Sequence, residues 1–396
     1  MIYKILFITE SPETVNELRR MESEEIGKDI KFLFTKDRSE ALQIVSEDRV
    51  IGIVADLRYS KFDTRDFLDL LQHNFPNVFR LCLTSPYERE KTLLLAKKFH
   101  RSIKFPLNHK ELSRTLRDLV KLFNHNLDAV LVEKINSLGP VPVLPEIYLR
   151  IQNELSRPSF SMNRIAEIIQ TDPLMVARIL HIAHSSYYNI PAGVTNLLQA
   201  LNFLGMDIIK TLVLYVKIFS LNNVSPQTQA VLKEVKIHSM NVAKNSKAIM
   251  EKETKDKKAI ELAYITGLLH DIGKIVLLQF NEHVKNPNYA SNIHGFSSFE
   301  FENASYGISH VQVGIYILKL WGFQDEIIEA VASHHDSRIL KGKNVSLKET
   351  LFIANAFCYD KSELTADISE SYGSEKFDQW DHLFNDDIRP ALDLPI

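Results

Sequence analysis

The sequence predicts an α/β domain followed by an all-α domain. Over residues 1–124, five short apolar segments alternate with amphipathic helical segments, a pattern typical of a doubly wound parallel sheet. From Pro145 onward, apolar residues recur at spacings of three and four and strand patterns nearly vanish, which indicates helices. The expected organisation is an α/β domain at 1–124, a linker at 125–140, a helical domain at 141–340 and a C-terminal extension at 341–396 that packs on the helical domain.

The composition is that of an ordinary globular protein. The 396 residues are 45% hydrophobic and 24% charged, and the net charge is −3, so no overall positive field favours nucleic acid or an anionic membrane surface. The two cysteines, Cys82 and Cys358, lie far apart within apolar segments and predict reduced core thiols. No uninterrupted apolar stretch reaches the roughly 20 residues of a membrane span. We expect a cytoplasmic protein without membrane insertion and without direct nucleic-acid binding.

The first domain should place its functional residues at one edge of the sheet. Strands are predicted at Tyr3–Ile8, Lys31–Phe34, Val50–Ala55, Val78–Leu83 and Ser102–Lys104, and helices at 12–26, 38–47, 64–73, 87–99 and 108–124. In such sheets function lies outside the carboxyl ends of the strands. The residues expected there are Thr9, Glu10, Asp56, Thr84 and Phe105.

This arrangement resembles the response-regulator receiver domain, a flavodoxin-like fold, over about residues 1–124. The resemblance implies that Asp56 is the phosphoacceptor, that the Thr84 hydroxyl contacts the phosphoryl oxygens and that Glu10 helps to bind Mg²⁺. The sequence departs from the family at two positions. Thr9 replaces a second acid, and Phe105 replaces the lysine that precedes the last-strand proline.

Two interpretations of the first domain follow. One is a phosphorylatable switch that uses Mg²⁺, and the other is a degenerate receiver fold kept as a docking or dimerisation platform. Phosphoryl transfer needs positive charge where the oxygens gather negative charge. Because two of the positions that handle this charge are changed, the sequence favours the docking platform.

The second domain carries a series of landmarks in a set order. Helices are predicted at 145–155, 162–170, 174–186, 195–218 and 226–250. The landmarks include Pro142-Val143-Leu144-Pro145, Asp172-Pro173-Leu174 and Ala200-Leu201-Asn202-Phe203-Leu204-Gly205. This region resembles the HDOD domain, a bacterial signalling relative of the HD phosphohydrolases, from about residue 135 to 338.

Histidine and acidic residues recur through the same region. His270-Asp271 follows an apolar segment, Glu234 and His238 share a helix face, and His310 and His334-His335 lie downstream. An adjacent His-Asp pair can give nitrogen and oxygen ligands to a divalent metal. The set resembles the metal site of HD-superfamily phosphohydrolases and is closest in spacing to the HD-GYP cyclic-dinucleotide phosphodiesterases. This implies a site for Fe, Mn or Zn, with Lys274 as a catalytic residue if the domain is an enzyme.

Two departures count against activity. Asn355 stands where the family has its final aspartate ligand, and the Gly-Tyr-Pro motif expected after His335 is missing. Most HDOD domains are regarded as non-catalytic. The remaining histidines have no partner pattern and are expected at the surface; they are His73, His100, His125, His283 and His294.

The first functional hypothesis is a bacterial two-component signal-transduction regulator. In it the receiver-like module controls an HDOD domain that acts mainly by binding other signalling proteins, and the receiver resemblance implies a homodimer. The alternative is a metal-dependent phosphohydrolase or phosphodiesterase acting on a nucleotide or cyclic dinucleotide.

Overall fold

The structure is a computed structural model of the 396-residue chain. It describes residues 2–24, 26, 29–48, 50–58, 64–75, 78–85, 95, 98–124, 135, 145–157, 159–183, 196–218, 225–279, 298–340, 345–359 and 364–385. Packing divides the chain into two compact units. The first comprises residues 1–149 and 316–323, and the second comprises residues 150–315 and 324–396.

The first unit contains a five-stranded parallel sheet with helices. The strands are β1 (Tyr3–Ile8), β2 (Ile30–Thr35), β3 (Val50–Asp56), β4 (Phe79–Thr84) and β5 (Arg101–Lys104), and the helices are α1 (Pro12–Glu24), α2 (Arg38–Glu47), α3 (Thr64–Asn74) and α4 (His109–Asn124). The strand order β2-β1-β3-β4-β5 is the flavodoxin-like order. The predicted fold class is confirmed, although the helix predicted at 87–99 lies mostly outside the described residues.

The burial of β3 agrees with its central position in the sheet. All seven residues of the central strand β3 are buried, as expected for a parallel strand covered on both faces. Apolar side chains of β1, β3, α2 and α3 share one core. The carboxyl end of β3 therefore delivers Asp56, which is 4% exposed, between the ends of β1 and β4.

The second unit is helical throughout its described residues. Together with α5 (Glu146–Leu155), which begins in the first unit, the helices are α6 (Met162–Gln170), α7 (Pro173–Ala183), α8 (Leu197–Leu204), α9 (Met206–Ile218), α10 (Pro226–Glu253), α11 (Lys257–Leu269), α12 (Ile272–Gln279), α13 (Ser298–Tyr306), α14 (His310–Leu320), α15 (Asp325–Ser333), α16 (Leu347–Ala356), α17 (Leu364–Tyr372) and α18 (Ser374–Asn385). Helix α14 continues into the first unit from Tyr316.

The prediction of one continuous helix at 195–218 is wrong. Instead of a single helix at 195–218, the chain forms α8 and α9 with a break at Gly205, whose φ is 78°. This backbone conformation is open to glycine at little cost. In the described part of the chain, no helix alone is long and apolar enough to cross a membrane. The pair α8 and α9 meets that test only together and is bent by 115°.

The C-terminal extension packs within the second unit. Helix α18 lies against α10, and Lys376 Nζ bonds Glu253 Oε2 at 2.9 Å. Trp380 is 1% exposed, and the rings of Phe357 and Phe377 stack with centroids 5.4 Å apart. These contacts hold the described C-terminal helices within the second unit and bury Trp380.

Candidate metal centre

The ends of several helices deliver the histidines and the aspartate of the candidate centre. His270 and Asp271 lie between α11 and α12, His310 is the first residue of α14, and His334 and His335 follow α15. The long helix α10 adds His238 from its middle. Two groups result, each with ligand atoms within 4.8 Å of one another: His310, His334 and His335, and His238, His270 and Asp271.

Two of the histidines are oriented by their own helices. His270 Nδ1 lies 2.7 Å from the carbonyl oxygen of Gly267, and His334 Nδ1 lies 2.6 Å from that of Val331. A carbonyl oxygen only accepts hydrogen bonds, so each Nδ1 must carry the proton. Each Nε2 therefore keeps a lone pair, which is the form that binds a metal.

His310 is oriented by a buried carboxylate. Glu302 Oε2 accepts hydrogen bonds from both the backbone N–H and the Nδ1–H of His310, each at 2.6 Å. Glu302 is 0% exposed. A carboxylate that accepts from the ligand's far nitrogen fixes the tautomer and makes the imidazole a better donor to metal.

The first group brings acceptor atoms together. His310 Nε2 lies 3.4 Å from His334 Nε2 and 3.1 Å from His335 Nε2. Asp271 Oδ1 lies 3.4 Å from His310 Nε2 and 3.8 Å from His334 Nε2. This oxygen is buried and has no hydrogen-bond partner in the structure. A buried cluster of lone pairs and negative charge is costly without a cation, so a metal ion fits here.

The second group uses the other oxygen of the same carboxylate. Asp271 Oδ2 lies 3.4 Å from His270 Nε2 and 3.7 Å from His238 Nε2. The two imidazole Nε2 atoms are 3.3 Å apart. Asn355 Oδ1 lies 3.0 Å from His238 Nε2, and Lys274 Nζ lies 2.9 Å from Asp271 Oδ2. Asp271 thus stands between the two groups.

The electrostatics leave the ligands in metal-binding form. Burial lowers the pKa of His238 to about 3 and lowers the pKa values of His334 and His335 well below the usual 6.5. Burial opposes ionisation of Asp271, but the neighbouring His270 and Lys274 outweigh it and hold its pKa well below 3.8. Near neutral pH these three imidazoles are therefore neutral and the carboxylate is anionic, as divalent metals require.

The structure brings together most, but not all, of the site residues that the sequence analysis proposed for the helical domain. The centre gathers His238, His270, Asp271, His310, His334, His335, Lys274 and Asn355. Glu234 is exposed on α10 and belongs to neither group. The nitrogen and oxygen donor set suits Zn, Fe or Mn.

Two residues that the sequence analysis did not assign also belong to the site. One is Glu302, whose position eight residues before His310 carries no periodic signal. The other is Tyr359, whose hydroxyl lies 3.1 Å from His238 Nε2. It follows Asn355 by four residues, a helical spacing that could have indicated it.

Gly273 allows the two helices of the centre to approach. A Cβ atom at this position would lie 1.9 Å from the carbonyl oxygen of His310 and 2.8 Å from the backbone nitrogen of Gly314. Gly273→Ala should therefore separate α12 from α14, lower the free energy of unfolding by at least about 3 kcal/mol and weaken metal binding. Urea unfolding followed by circular dichroism measures the first effect.

Gly314→Ala is the matched control, because a Cβ atom there would meet its nearest neighbours at 3.6 Å, an ordinary contact. Equal stability losses in the two variants would contradict the predicted role of Gly273.

The α/β unit has a second polar cluster at the carboxyl end of its sheet. Arg58 binds both oxygens of Asp56, with Nε 2.9 Å from Oδ1 and Nη2 2.8 Å from Oδ2. Thr9 Oγ1 donates to Oδ2 at 2.7 Å, and the guanidinium lies 3.6 Å from the centre of the Phe105 ring. Protein donors thus occupy both Asp56 oxygens.

Thr84 and Glu10 were also expected at this edge. Thr84 is 8% exposed, and its hydroxyl lies 3.4 Å from the carbonyl oxygen of Ser85. Glu10 is partly exposed.

The expectation that His100 lies at the surface is wrong. It is 3% exposed, and both ring nitrogens lie 3.0 Å from nitrogens of Arg80. Burial, followed by the charge of Arg80, lowers the pKa of His100 well below 6.5. His73 is exposed as expected, and His125, His283 and His294 lie outside the described residues.

The fold and site together define an all-helical domain with a histidine–aspartate cluster that could hold a metal. Residues 141–337 match the family model of the HDOD domain, and this part of the chain is an HDOD domain. The match ends before Asn355 and Tyr359.

Three similar proteins illustrate the likeness. An uncharacterized protein of Treponema pallidum is 20% identical over 207 residues, which are 50% of this chain and 38% of that protein. A structure from Shewanella amazonensis, provisionally named a metal-dependent phosphohydrolase, is 25% identical with a TM-score of 0.48 and covers 65% of this chain and 96% of its own. A structure from Marinobacter aquaeolei, provisionally named a signal transduction protein, is 19% identical with a TM-score of 0.45 and covers 81% and 82%.

Proposed function

We propose that the HDOD domain of this chain is a metal-dependent phosphohydrolase that acts on a nucleotide-type phosphoester within a bacterial signalling protein. One observation carries the proposal. The lone pairs of several buried imidazoles converge on the two oxygens of one carboxylate, Asp271, with one group of ligands on each side. The arrangement leaves one buried oxygen of the Asp271 carboxylate without a hydrogen-bond donor. Packing alone therefore does not explain the arrangement.

The side chains have distinct roles in this proposal. Asp271 bridges the two groups, and Glu302 holds the His310 imidazole with Nε2 turned inward. A bound divalent metal would lower the pKa of water for attack on phosphorus and would polarise the phosphoryl oxygens. Lys274 carries a positive charge: burial lowers its pKa, but Asp271 together with Tyr359 and Glu302 outweighs burial and raises it above the usual value. This ammonium favours the negative charge that gathers on a phosphoryl group.

The substitution of asparagine at position 355 is compatible with the centre. Its Oδ1 remains 3.0 Å from His238 Nε2. Its Nδ2 donates to the backbone oxygen of His334 at 3.3 Å, which turns the amide oxygen toward the ligands. Asn355 therefore supplies an oxygen donor, with one negative charge fewer than aspartate.

Turnover of a generic phosphodiester tests the proposal. Full-length protein loaded with Mn²⁺ or Fe²⁺ should hydrolyse bis(p-nitrophenyl) phosphate, and both His270→Ala and Asp271→Ala should lower the rate by more than about 100-fold, because losing only the partners that orient ligands already costs about 10–100-fold. Release of p-nitrophenolate measures the rate. His382→Ala, at an exposed position of α18, should leave it unchanged. Metal-loaded wild type without turnover of this diester or of a cyclic dinucleotide would contradict the enzymatic role.

The α/β domain supports a second candidate function, signalling through protein interaction. The observation that favours it is the pairing of both Asp56 oxygens with Arg58. In this function the domain is a receiver-like module that docks other signalling proteins or a second copy of the chain, and it works without phosphorylation.

Incubation with acetyl phosphate and Mg²⁺ tests this second function. Wild-type protein should gain no phosphoryl group at Asp56 by intact-protein mass spectrometry, because an arginine and a threonine hold the carboxylate. Asp56→Ala should likewise show no added phosphoryl mass. A phosphoryl adduct present in the wild type and absent from Asp56→Ala would identify a working receiver instead.

A further inference from the structure

Tyr359 lies at the second ligand group, beyond the part of the chain that matches the HDOD family model. Its hydroxyl oxygen is 3.1 Å from His238 Nε2. The two rings are tilted by 33°, with centroids 4.8 Å apart. The phenol therefore approaches the same nitrogen that faces His270 and Asn355.

Tyr359 lies in the turn that follows α16. After α16 ends at Ala356, Cys358 N bonds the carbonyl oxygen of Asn355 at 3.0 Å and Tyr359 N bonds that of Ala356 at 3.1 Å. Bonds between residues three apart form a tight 3-10-type turn at the end of a helix. The Tyr359 hydroxyl lies beside His238 Nε2, the same atom that Asn355 Oδ1 contacts.

The spacings match those of ligands around a single ion. Ligand atoms bound to one metal at about 2.1 Å lie about 3.0–3.4 Å apart in octahedral or tetrahedral geometry. From His238 Nε2, Asn355 Oδ1 lies at 3.0 Å, the Tyr359 oxygen at 3.1 Å and His270 Nε2 at 3.3 Å. The phenol oxygen therefore lies at a ligand-like distance from His238 Nε2, as His270 Nε2 does.

The charge of the group supplies the chemical reason. Asn355 is neutral, so Asp271 is the one anion among the ligands of the two groups, and it is shared between them. A tyrosine oxygen can bind iron as an anion. Burial raises the pKa of the Tyr359 hydroxyl above its usual value, and the neighbouring Lys274, which hydrogen-bonds it, offsets this only in part. The phenol would therefore lose its proton only when a metal cation binds its oxygen.

We infer that Tyr359 is a ligand of the metal held by His238, His270 and Asp271, where its phenol oxygen supplies the negative charge that Asn355 does not. This inference rests on the proposed metal centre and adds a ligand to it. It also assigns the His238 group a preference for a ferric or similarly acidic ion, because anionic oxygen ligands favour harder, more highly charged metals.

Visible absorption of the iron-loaded protein tests the inference without reference to activity. Untagged full-length protein is loaded with Fe²⁺ under anaerobic conditions and oxidised with ferricyanide, and its iron content is measured by plasma mass spectrometry. A ferric ion bound by a phenolate gives a charge-transfer band in the visible region. We expect this band in the wild type, its loss in Tyr359→Phe and its retention in Tyr372→Phe. Tyr372 is the matched control, because its hydroxyl bonds Glu349 instead.

Resonance Raman spectra of the wild type provide a second measurement that does not depend on a variant's folding. Excitation in the band should enhance ring vibrations that shift when the protein contains ring-deuterated tyrosine. If the wild type binds iron but shows no band, or if the band persists in Tyr359→Phe, Tyr359 is not a ligand. Either result would leave the proposed metal centre uncontradicted. Failure of the wild type to bind iron, manganese or zinc after reconstitution would overturn both.

Discussion

Replacing Asp271 with asparagine should remove metal from both ligand groups of the helical domain at once. Its Oδ1 faces His310 and His334, and its Oδ2 faces His238 and His270. The asparagine would lose the shared negative charge and present an amide nitrogen to one group. Because loss of partners that only orient ligands costs about 10–100-fold in affinity, loss of this shared ligand should cost more than about 100-fold at each group.

Plasma mass spectrometry of protein purified without chelators or a histidine tag measures this effect. Wild type should contain up to two metal equivalents, and Asp271→Asn close to none. Asp336→Asn is the control, since Asp336 follows His335 but is ion-paired with the exposed Arg338. Full metal content in Asp271→Asn would show that the carboxylate does not bridge the groups.

The fold could be predicted from the sequence where hydrophobic periodicity determines it. The alternation of strands and helices over residues 1–124 predicts the parallel sheet, because each buried strand forms a short apolar segment. Periodicity does not report a backbone break inside an apolar stretch, so the interruption of α8 and α9 at Gly205 was missed. The same limit applies to His100, since a lone histidine in a sequence does not reveal that Arg80 will cover it.

The sequence pointed to most residues of the candidate site but not to the orientation of their side chains. The resemblance to HD-superfamily phosphohydrolases implied His238, His270 and Asp271 as ligands. Which nitrogen of each histidine faces inward depends on carbonyl groups one helical turn away and on Glu302, and these become acceptors only once the helices have formed. Arg58 follows Asp56 by only two residues in the sequence. Its pairing with that carboxylate could not be predicted, because it depends on the conformation of the turn.

Acidification should unfold the metal-free helical domain well above the pH at which its carboxylates titrate. Burial lowers the folded-state pKa of His238 to about 3 and those of His334 and His335 well below 6.5. Unfolding returns each imidazole to its ordinary pKa, so below pH 6.5 the unfolded chain binds protons that the folded chain does not. Stability is then fully present above the unfolded pKa and is lost as the pH falls toward the folded values.

In this pH window, these three histidines change the free energy of unfolding of the helical domain more than its other titrating groups do. Each such histidine can cost about 1.4 kcal/mol per pH unit, so three together can cost about 4 kcal/mol per unit against a typical total stability of about 5–15 kcal/mol. The lowered pKa of Asp271 acts only below its unfolded value of 3.8. Within about two units below pH 6.5 the histidines can therefore cost about 8 kcal/mol, which suffices to unfold a domain of about that stability.

Urea unfolding of chelator-treated protein at a series of pH values, followed by the fluorescence of Trp321 and Trp380, measures this dependence. The free energy of unfolding should fall steeply between pH 6 and pH 4.5, and His335→Gln should reduce the slope by the equivalent of one proton. His382→Asn, at an exposed position, should leave the slope unchanged. A wild-type stability that stays constant over this interval would mean that the imidazoles take up protons without unfolding. The cluster would then be open to water and could not hold its ligands in the neutral form that a metal needs.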